Sequence, residues 1–512
     1  MDLSRPVARL LGVRPRLVPT GGAGGASRAP DGASAVVVGA GIAGVSAAVV
    51  LAERGVRVTL LESRRWLGGR LAAWPDRLAD GTPQMVEHGF HAFFRQYYNW
   101  RSILRRIDPE LEFLRPVPGY PVLSARWPAE EFGKLPAAPP LNLLALLARS
   151  PSLRLRDLRT MDRRAALPLL AYDPERTFAE LDTTSAAELL DSLRLPDRAR
   201  AMLFEVFSHS FFNVETDYSA AEMTANFHFY LLGNPEGLAF DAPYRDYDTA
   251  IWQPLARYLE TCGARVVTGA PVLTVDRDGA GWRVRTADSG YAAAHLLLAV
   301  DPPALAGLAG ASPALAAALP ALARPAGFAA GPPYAVARYW FGGDVRRDRP
   351  IFAGVSRQST LDSVTLYHRL ESEAGRWARR VGGSVVELHA YACAPGVPAG
   401  ELAERMRREL AGLWPETADL PVLDLRARVE AQAPAFRPGD HPGRPSVRTG
   451  ADGLYLAGDG IAAPFPSALM ERSAATGILA ANEILRAYGT ATEPLRSVRP
   501  RGLLADRGSS RG

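Results

Sequence analysis

From Ser34 onward, apolar runs alternate with glycine punctuation. Ala35-Val36-Val37-Val38 is an unbroken, mostly β-branched run, which predicts a strand buried on both faces. Gly39-Ala40-Gly41-Ile42-Ala43-Gly44 follows. A helical stretch then runs from Val45 to Arg54, with Ala47, Ala48 and Ala52 small enough to lie against a sheet, and Gly55 ends it. Val56 to Leu61 is a second apolar strand, closed by Glu62. Strand, glycine turn, helix and strand in this order make a βαβ unit of a parallel sheet.

Later segments repeat the signals more loosely. Arg265–Val275 is extended but broken by Gly269 and Pro271. Trp282–Thr286 alternates, and Leu296–Val300 is an apolar strand stopped by Pro302 and Pro303. Tyr334–Phe341 and Ser384–Tyr391 predict strands, and Glu401–Leu410 predicts a charged helix. Leu454-Tyr455-Leu456 predicts a strand breaking at Gly458-Asp459, with a helix from about Ala468 to Leu485 whose Ala474, Ala475, Gly477, Ala480 and Ala481 permit close packing. The expected fold is α/β. A discontinuous Rossmann-like dinucleotide domain (34–99, 245–304 and 446–488) is interleaved with an α+β substrate- and membrane-facing domain (100–244 and 305–445). Residues 1–33 read as a flexible basic tail and 489–512 as a C-terminal tail; the Gly21–Gly25 cluster has no strand before it and is no nucleotide loop.

Composition narrows the classes. The 512 residues are 47% hydrophobic and 22% charged, as in a globular protein. Two distant cysteines, Cys262 and Cys393, exclude a disulfide scaffold, a zinc ribbon and an iron–sulfur cluster. The net charge of +5 is mild and no basic stripe is interleaved with aromatics, so no nucleic-acid partner is expected. No apolar run of ~18 residues predicts a membrane span, and the N-terminus lacks a secretory apolar core. A cytoplasmic location is expected. Leu141–Leu147, beside Arg149, Arg154, Arg156 and Arg159, reads either as a patch that docks on a membrane surface or as a short core helix.

The glycines define the first chemistry. Gly39 permits the tight turn, Gly41 lets backbone approach a pyrophosphate, and Gly44 allows close helix–strand packing. The helix start at Ile42 and Ala43 offers free N–H groups to the phosphates. Glu62 can accept a ribose hydroxyl and would repel a 2′-phosphate. Gly68-Gly69-Arg70 gives a second close backbone approach and a cation for a phosphate or a flavin. Val272 is placed near an adenine. Gly458-Asp459 puts a carboxylate where a ribityl hydroxyl would lie, and the following helix aims its dipole at a flavin. Together they specify FAD.

These motifs resemble the FAD-dependent carotenoid desaturase and amine-oxidase superfamily. A more specific string, Glu87-His88-Gly89-Phe90-His91-Ala92-Phe93-Phe94-Arg95-Gln96-Tyr97-Tyr98-Asn99, resembles the bacterial isorenieratene synthases, also called carotenoid φ-ring synthases. So do Phe204–Ser208 with Ser210-Phe211-Phe212, Ser219–Glu222, Gly237–Asp241 and Ala468–Arg472. The resemblance runs from about Val36 to Leu485. Trp100, where an aliphatic residue is expected, and Pro464-Phe465-Pro466 depart from it.

The resemblance implies a reaction. A β-ionone end group of a carotene loses hydrogen, one geminal methyl migrates, and the ring becomes trimethylphenyl. Hydride loss would leave a cation; methyl shift and proton loss would follow. The aromatics Phe90, Phe93, Phe94, Tyr97, Tyr98 and Trp100 either line a tunnel and stabilise that cation or are ordinary core. His91 is the expected base because its pKa lies near neutrality, with His88 as its neighbour and Glu87 as the other choice. No metal is expected, since a His88–His91 pair lacks a third ligand. His209 and His228 read as structural. Lys134, the only lysine, lies too early for the mid-chain lysine of amine oxidases. The partners implied are a hydrophobic carotenoid or isoprenoid, an external electron acceptor (quinone or oxygen) and a membrane surface. A desaturase or isomerase of a linear carotene or squalene-like chain is the alternative. A third reading is a non-redox isoprenoid carrier like the Rab GDP-dissociation inhibitors.

Overall fold

A computed structural model describes residues 4–19, 24–320 and 328–505. The valine run forms β1 (Ser34–Val38), and the glycine turn leads into α1 (Ile42–Glu53) and β2 (Arg57–Leu61). Three distant segments complete the sheet: β3 (Arg265–Val267), β4 (His295–Leu298) and β5 (Leu454–Leu456), all parallel, in the order β3-β2-β1-β4-β5. β1 and β4 are apolar nearly throughout because helices or a second layer cover both faces. α2 (Leu469–Ala487) packs against α1, and a Cβ on Gly477 would lie 2.2 Å from the Ala43 carbonyl oxygen. The small-residue stripe therefore sets the spacing of the two helices.

A second, seven-stranded sheet stands opposite. Its order is Val422–Glu430, Tyr334–Phe341, Ser384–Ala390, Ser363–Leu366, Phe352–Val355, Pro121–Leu123, Glu130–Glu131. Neighbours run antiparallel, except that Phe352–Val355 and Pro121–Leu123 are parallel. Tyr334–Phe341 and Ser384–Ala390 are buried at every position.

Two expectations are corrected. The described part of 1–33 is not a free extension. Ser4–Leu10 is helical, Arg16–Val18 pairs antiparallel with Leu495–Ser497, and Ala8 and Val13 are fully buried. Its basic residues find partners in the fold, as in the Arg5–Glu236 ion pair at 2.7 Å, so charge alone did not mark it as solvated. The described part of 489–512 is likewise docked by that pairing and by the Arg499 carbonyl, 2.6 Å from His228 Nε2. Residues 1–3, 20–23, including Gly21 and Gly22, and 506–512 lie outside the described residues.

Candidate active site

One cavity of about 660 Å³ spans the carboxyl ends of the parallel strands and the face of the antiparallel sheet. In open α/β sheets ligands bind in that crevice. Its first end is walled by backbone. Gly39 has φ +95°, and a Cβ there would sit 2.4 Å from the Ala299 carbonyl oxygen; one on Gly44 would sit 1.9 Å from the Gly39 oxygen. Both glycines are demanded by the turn itself. Gly41 differs: a Cβ there would meet nothing nearer than 4.0 Å and would project into the cradle. Ile42 and Ala43 line the same space with first-turn N–H groups that have no helical partner.

Glu62 closes this end. Its Oε2 accepts the Ala40 N–H at 2.8 Å and its Oε1 accepts the Arg64 N–H at 3.0 Å, which fixes the carboxylate against the glycine loop. Val272 lines the cavity beside Ala270, whose N–H donates to the Glu62 carbonyl. Gly69 and Arg70 follow a turn in which Gly68 has φ +114° and Gly69 φ +56°. Arg70 and Asp459, 389 residues apart in sequence, form an ion pair at 2.5 Å. Burial opposes the charge on Arg70, but the Asp459 carboxylate outweighs it and holds the guanidinium above its ordinary range. Gly458 (φ +149°) leaves open space where a side chain would intrude, and Leu469 and Met470 bring the start of α2 to the wall. Open glycine cradles, unpaired N–H groups and a fixed carboxylate fit an FAD. Gly39–Gly44 would hold its diphosphate, Glu62 a ribose, and Arg70, Asp459 and the α2 start its flavin end.

The other end is aromatic. Phe90, Phe94, Tyr97, Tyr120, Phe207, Phe211, Phe212, Tyr230, Phe240, Tyr334, Phe352 and Tyr391 line it. Of the aromatics named from the 90–100 string, Phe90, Phe94 and Tyr97 reach the cavity. Phe93 and Trp100 are fully buried core, with Trp100 ring-to-ring 6.0 Å from Trp252, and Tyr98 lies outside the lining. Phe212 sits between Tyr334 and Tyr391 with ring centroids at 4.8 and 5.2 Å, and its φ of +61° is a strained conformation for a phenylalanine.

The three proposed bases separate. His91 lines the cavity, and its Nδ1 lies 2.8 Å from the Gly89 carbonyl. A carbonyl only accepts, so Nδ1 carries the hydrogen and Nε2 keeps its lone pair. Burial pulls this imidazole down to about 4, so it is neutral at physiological pH. His88 also lines the cavity; burial, then the Arg428 charge, drives its pKa well below normal, and its Nε2 has no hydrogen-bond partner. Glu87 does not reach the cavity. It is buried against Arg338 at 2.5 Å, and Arg338 also holds Glu387 at 2.7 Å. One guanidinium serves two carboxylates. Glu387 stays ionised, whereas burial pushes Glu87 up to about 8, leaving it protonated at neutral pH. That removes Glu87 as a base in contact with substrate. His209 pairs with Asp362 at 3.0 Å, and His228 stacks on Tyr172, both outside the cavity lining. Among the described residues no three His, Cys, Asp or Glu side chains gather to hold a metal. Lys134 is not part of the lining.

Sequence reading missed Tyr334, Arg338, Glu387, His389 and Tyr391. The alternation Glu387-x-His389-x-Tyr391, placing three polar groups on one face of a predicted strand, was the available signal.

A dinucleotide cradle opening onto an aromatic-walled chamber defines an FAD-dependent oxidoreductase. The chain belongs to the flavin-containing amine oxidoreductase family, whose model matches residues 42–485. It is 43% identical over 477 residues to a carotenoid phi-ring synthase of Streptomyces griseus, covering 93% of this chain and 92% of that protein. It is 29% identical to the carotenoid phi-ring synthase of Chlorobaculum tepidum, covering 92% and 91%. Among solved structures, putrescine oxidase bound to putrescine (TM-score 0.63, 16% identity, 89% of this chain and 99% of that one) shares the fold. So does cyclohexylamine oxidase from Brevibacterium oxydans (TM-score 0.60, 14% identity, 90% and 99%).

Proposed function

We propose that this enzyme converts the β-ionone end of a carotene into an aromatic φ-ring. The observation that carries this reading is the chamber: an aromatic-walled space continuous with the flavin cradle, with imidazoles as its bases. Similarity along nearly the whole length of the Streptomyces griseus protein supports the same chemistry.

When bound, FAD supplies a hydride acceptor at the junction of the two ends. The chain's own residues do the rest. The apolar wall excludes water, which would trap a ring cation. Ring faces such as Phe90, Phe94 and Tyr230 offer cation–π stabilisation, on the order of 0.5–2 kcal/mol each. His91, neutral and with Nε2 free, accepts a proton as a ring double bond forms. His88, neutral and buried, is a positioning residue beside it.

Turnover needs an external electron acceptor, a quinone or oxygen, to reoxidise the flavin. Substrate is drawn from a membrane surface in the cytoplasm. Among the described residues no helix is long and apolar enough to cross a membrane. Leu144 (58% exposed), Leu155 and Leu167 stand out into solvent near Arg149, Arg154, Arg156 and Arg159. Behind them, Leu146 and Leu147 pack on the cluster that contains Tyr120 and Phe240 of the chamber wall.

Feeding β-carotene or an acyclic carotene to a pigment-engineered host carrying this chain tests the reading. Aromatic-ringed products from β-carotene are expected; conversion of acyclic carotene alone would refute ring aromatisation.

A further inference from the structure

The strand Ser384–Ala390 has two faces. Val386, Leu388 and Ala390 belong to an apolar core cluster. Glu387 and His389 occupy the opposite face, and Tyr391, the residue just beyond the strand, continues it. The three side chains are hydrogen bonded in series. Glu387 Oε1 lies 2.8 Å from His389 Nε2, and His389 Nδ1 lies 2.9 Å from the Tyr391 hydroxyl. His389 and Tyr391 line the chamber, whereas Glu387 is wholly buried behind them.

The chemistry of the groups fixes the direction of these bonds. Glu387 also accepts the Phe90 N–H at 2.6 Å and the Arg338 Nε–H at 2.8 Å, so it is a carboxylate and only accepts. His389 Nε2 therefore carries a hydrogen. In the neutral imidazole Nδ1 is then the lone pair, and the Tyr391 hydroxyl donates to it. Burial pushes the Tyr391 phenol above its ordinary range, so it does not ionise by itself. It can take a proton on oxygen only while giving its own to His389.

We propose that Tyr391, His389 and Glu387 form a proton relay that accepts one of the protons lost during ring aromatisation. This rests on the aromatisation reading. Converting a β-ionone ring to trimethylphenyl removes four hydrogens, as two hydrides to the flavin, which the external acceptor reoxidises between rounds, and two protons. In the relay step the C–H bond next to the cationic carbon breaks and its electron pair becomes a ring double bond. The proton passes to the Tyr391 oxygen, and the phenolic proton passes to His389 Nδ1. The imidazolium formed faces the Glu387 carboxylate. Tyr391 is the catalytic residue; His389 and Glu387 act through it. His91 takes the other proton. Two acceptors from different segments of the lining suit two protons leaving different ring carbons.

The test uses flavin-loaded enzyme and β-carotene deuterated on the ring. For Tyr391→Phe we expect flavin content and KM to hold, kcat to fall about 100-fold or more, the primary isotope effect to rise, and partly oxidised, non-aromatic rings to accumulate. His389→Gln should do the same, and the double variant should be no slower than either single one, as for groups acting as a unit. Wild-type turnover in Tyr391→Phe overturns the relay, as does a fall in rate with an unchanged isotope effect and no accumulated intermediate. If wild-type enzyme desaturates only acyclic carotene, the aromatisation reading fails; the same isotope comparison on that deuterated substrate then decides the relay. Apart from turnover, proton NMR of the flavin-loaded wild type should show a strongly downfield imidazole N–H that His389→Gln removes. Its absence from the wild type overturns the His389–Glu387 link.

Discussion

At the flavin end of the cavity the wall is main chain. Gly41, Gly69 and Gly458 keep side chains out, and N–H groups meet the ligand. At the chamber end the wall is side chain, and aromatic rings from at least six separate segments close around an apolar space. The first end recognises a constant molecule by backbone geometry, which tolerates little change. The second recognises a greasy ring by shape and by face-on electrostatics, which many side-chain combinations satisfy. Substitutions at the two ends should therefore fail differently: at the first, cofactor is lost; at the second, cofactor stays and turnover changes.

The sharpest test of that difference is Gly41→Val. Its Cβ has room in the folded chain but occupies the cradle, so the protein should fold with the thermal midpoint of the apoprotein and purify without flavin. Flavin absorbance per protein measures it, and a fully yellow Gly41→Val would break the assignment of the cradle. Gly44→Ala sharpens the point, because its Cβ collides with the Gly39 oxygen. There both flavin and stability should fall, by about 1–3 kcal/mol in a denaturant titration.

His91→Ala comes next, at the other end. Turnover should drop ~100- to 10,000-fold with flavin still bound. Equal loss of flavin would blur the two ends into one. Glu62→Ala should act in reverse, weakening FAD by roughly 10- to 150-fold, the ~1.5–3 kcal/mol of hydrogen bonds to a charged group. Equilibrium dialysis of FAD reads it, and turnover at saturating FAD should stay near wild type.

The smallest effect concerns pH. Since His91 works as the neutral base and titrates near 4, kcat should be flat from neutrality to about pH 5 and half lost near pH 4. Its folded-state pKa lies below the ordinary 6.5. Between those values the unfolded chain binds a proton that the folded chain does not, so this group's stabilising contribution is present above pH 6.5 and is lost as pH falls through 4. A kcat that is already falling near pH 6.5 would contradict the buried, neutral His91.

The same contrast explains what could be read from the chain alone. β1, Gly39–Gly44, α1, β2 and Glu62 lie within 29 consecutive residues, so local periodicity and turn chemistry reveal them together. Arg70 and Asp459 were each legible, but their ion pair was not, because nothing local reports a contact across 389 residues. The chamber was only partly legible. The 90–100 string supplied Phe90, Phe94 and Tyr97, but Phe93 and Trp100 point into core, and Phe207, Tyr334 and Phe352 arrive from other segments. In sequence Glu87 stood as a further base candidate after His91 and His88. Only the fold shows that its carboxyl is buried on Arg338, 251 residues further along the chain. The N-terminal tail misled for a related reason: its arginines and small residues gain order from partners far along the chain.

Incubating purified, flavin-loaded protein with β-carotene and a quinone, then identifying the products by mass and proton NMR, probes the link between the two ends most directly. A product four hydrogens lighter per converted ring, with aromatic protons and no geminal methyl pair on that ring, is the expected result. Unchanged β-carotene in the presence of bound FAD and an acceptor would contradict it.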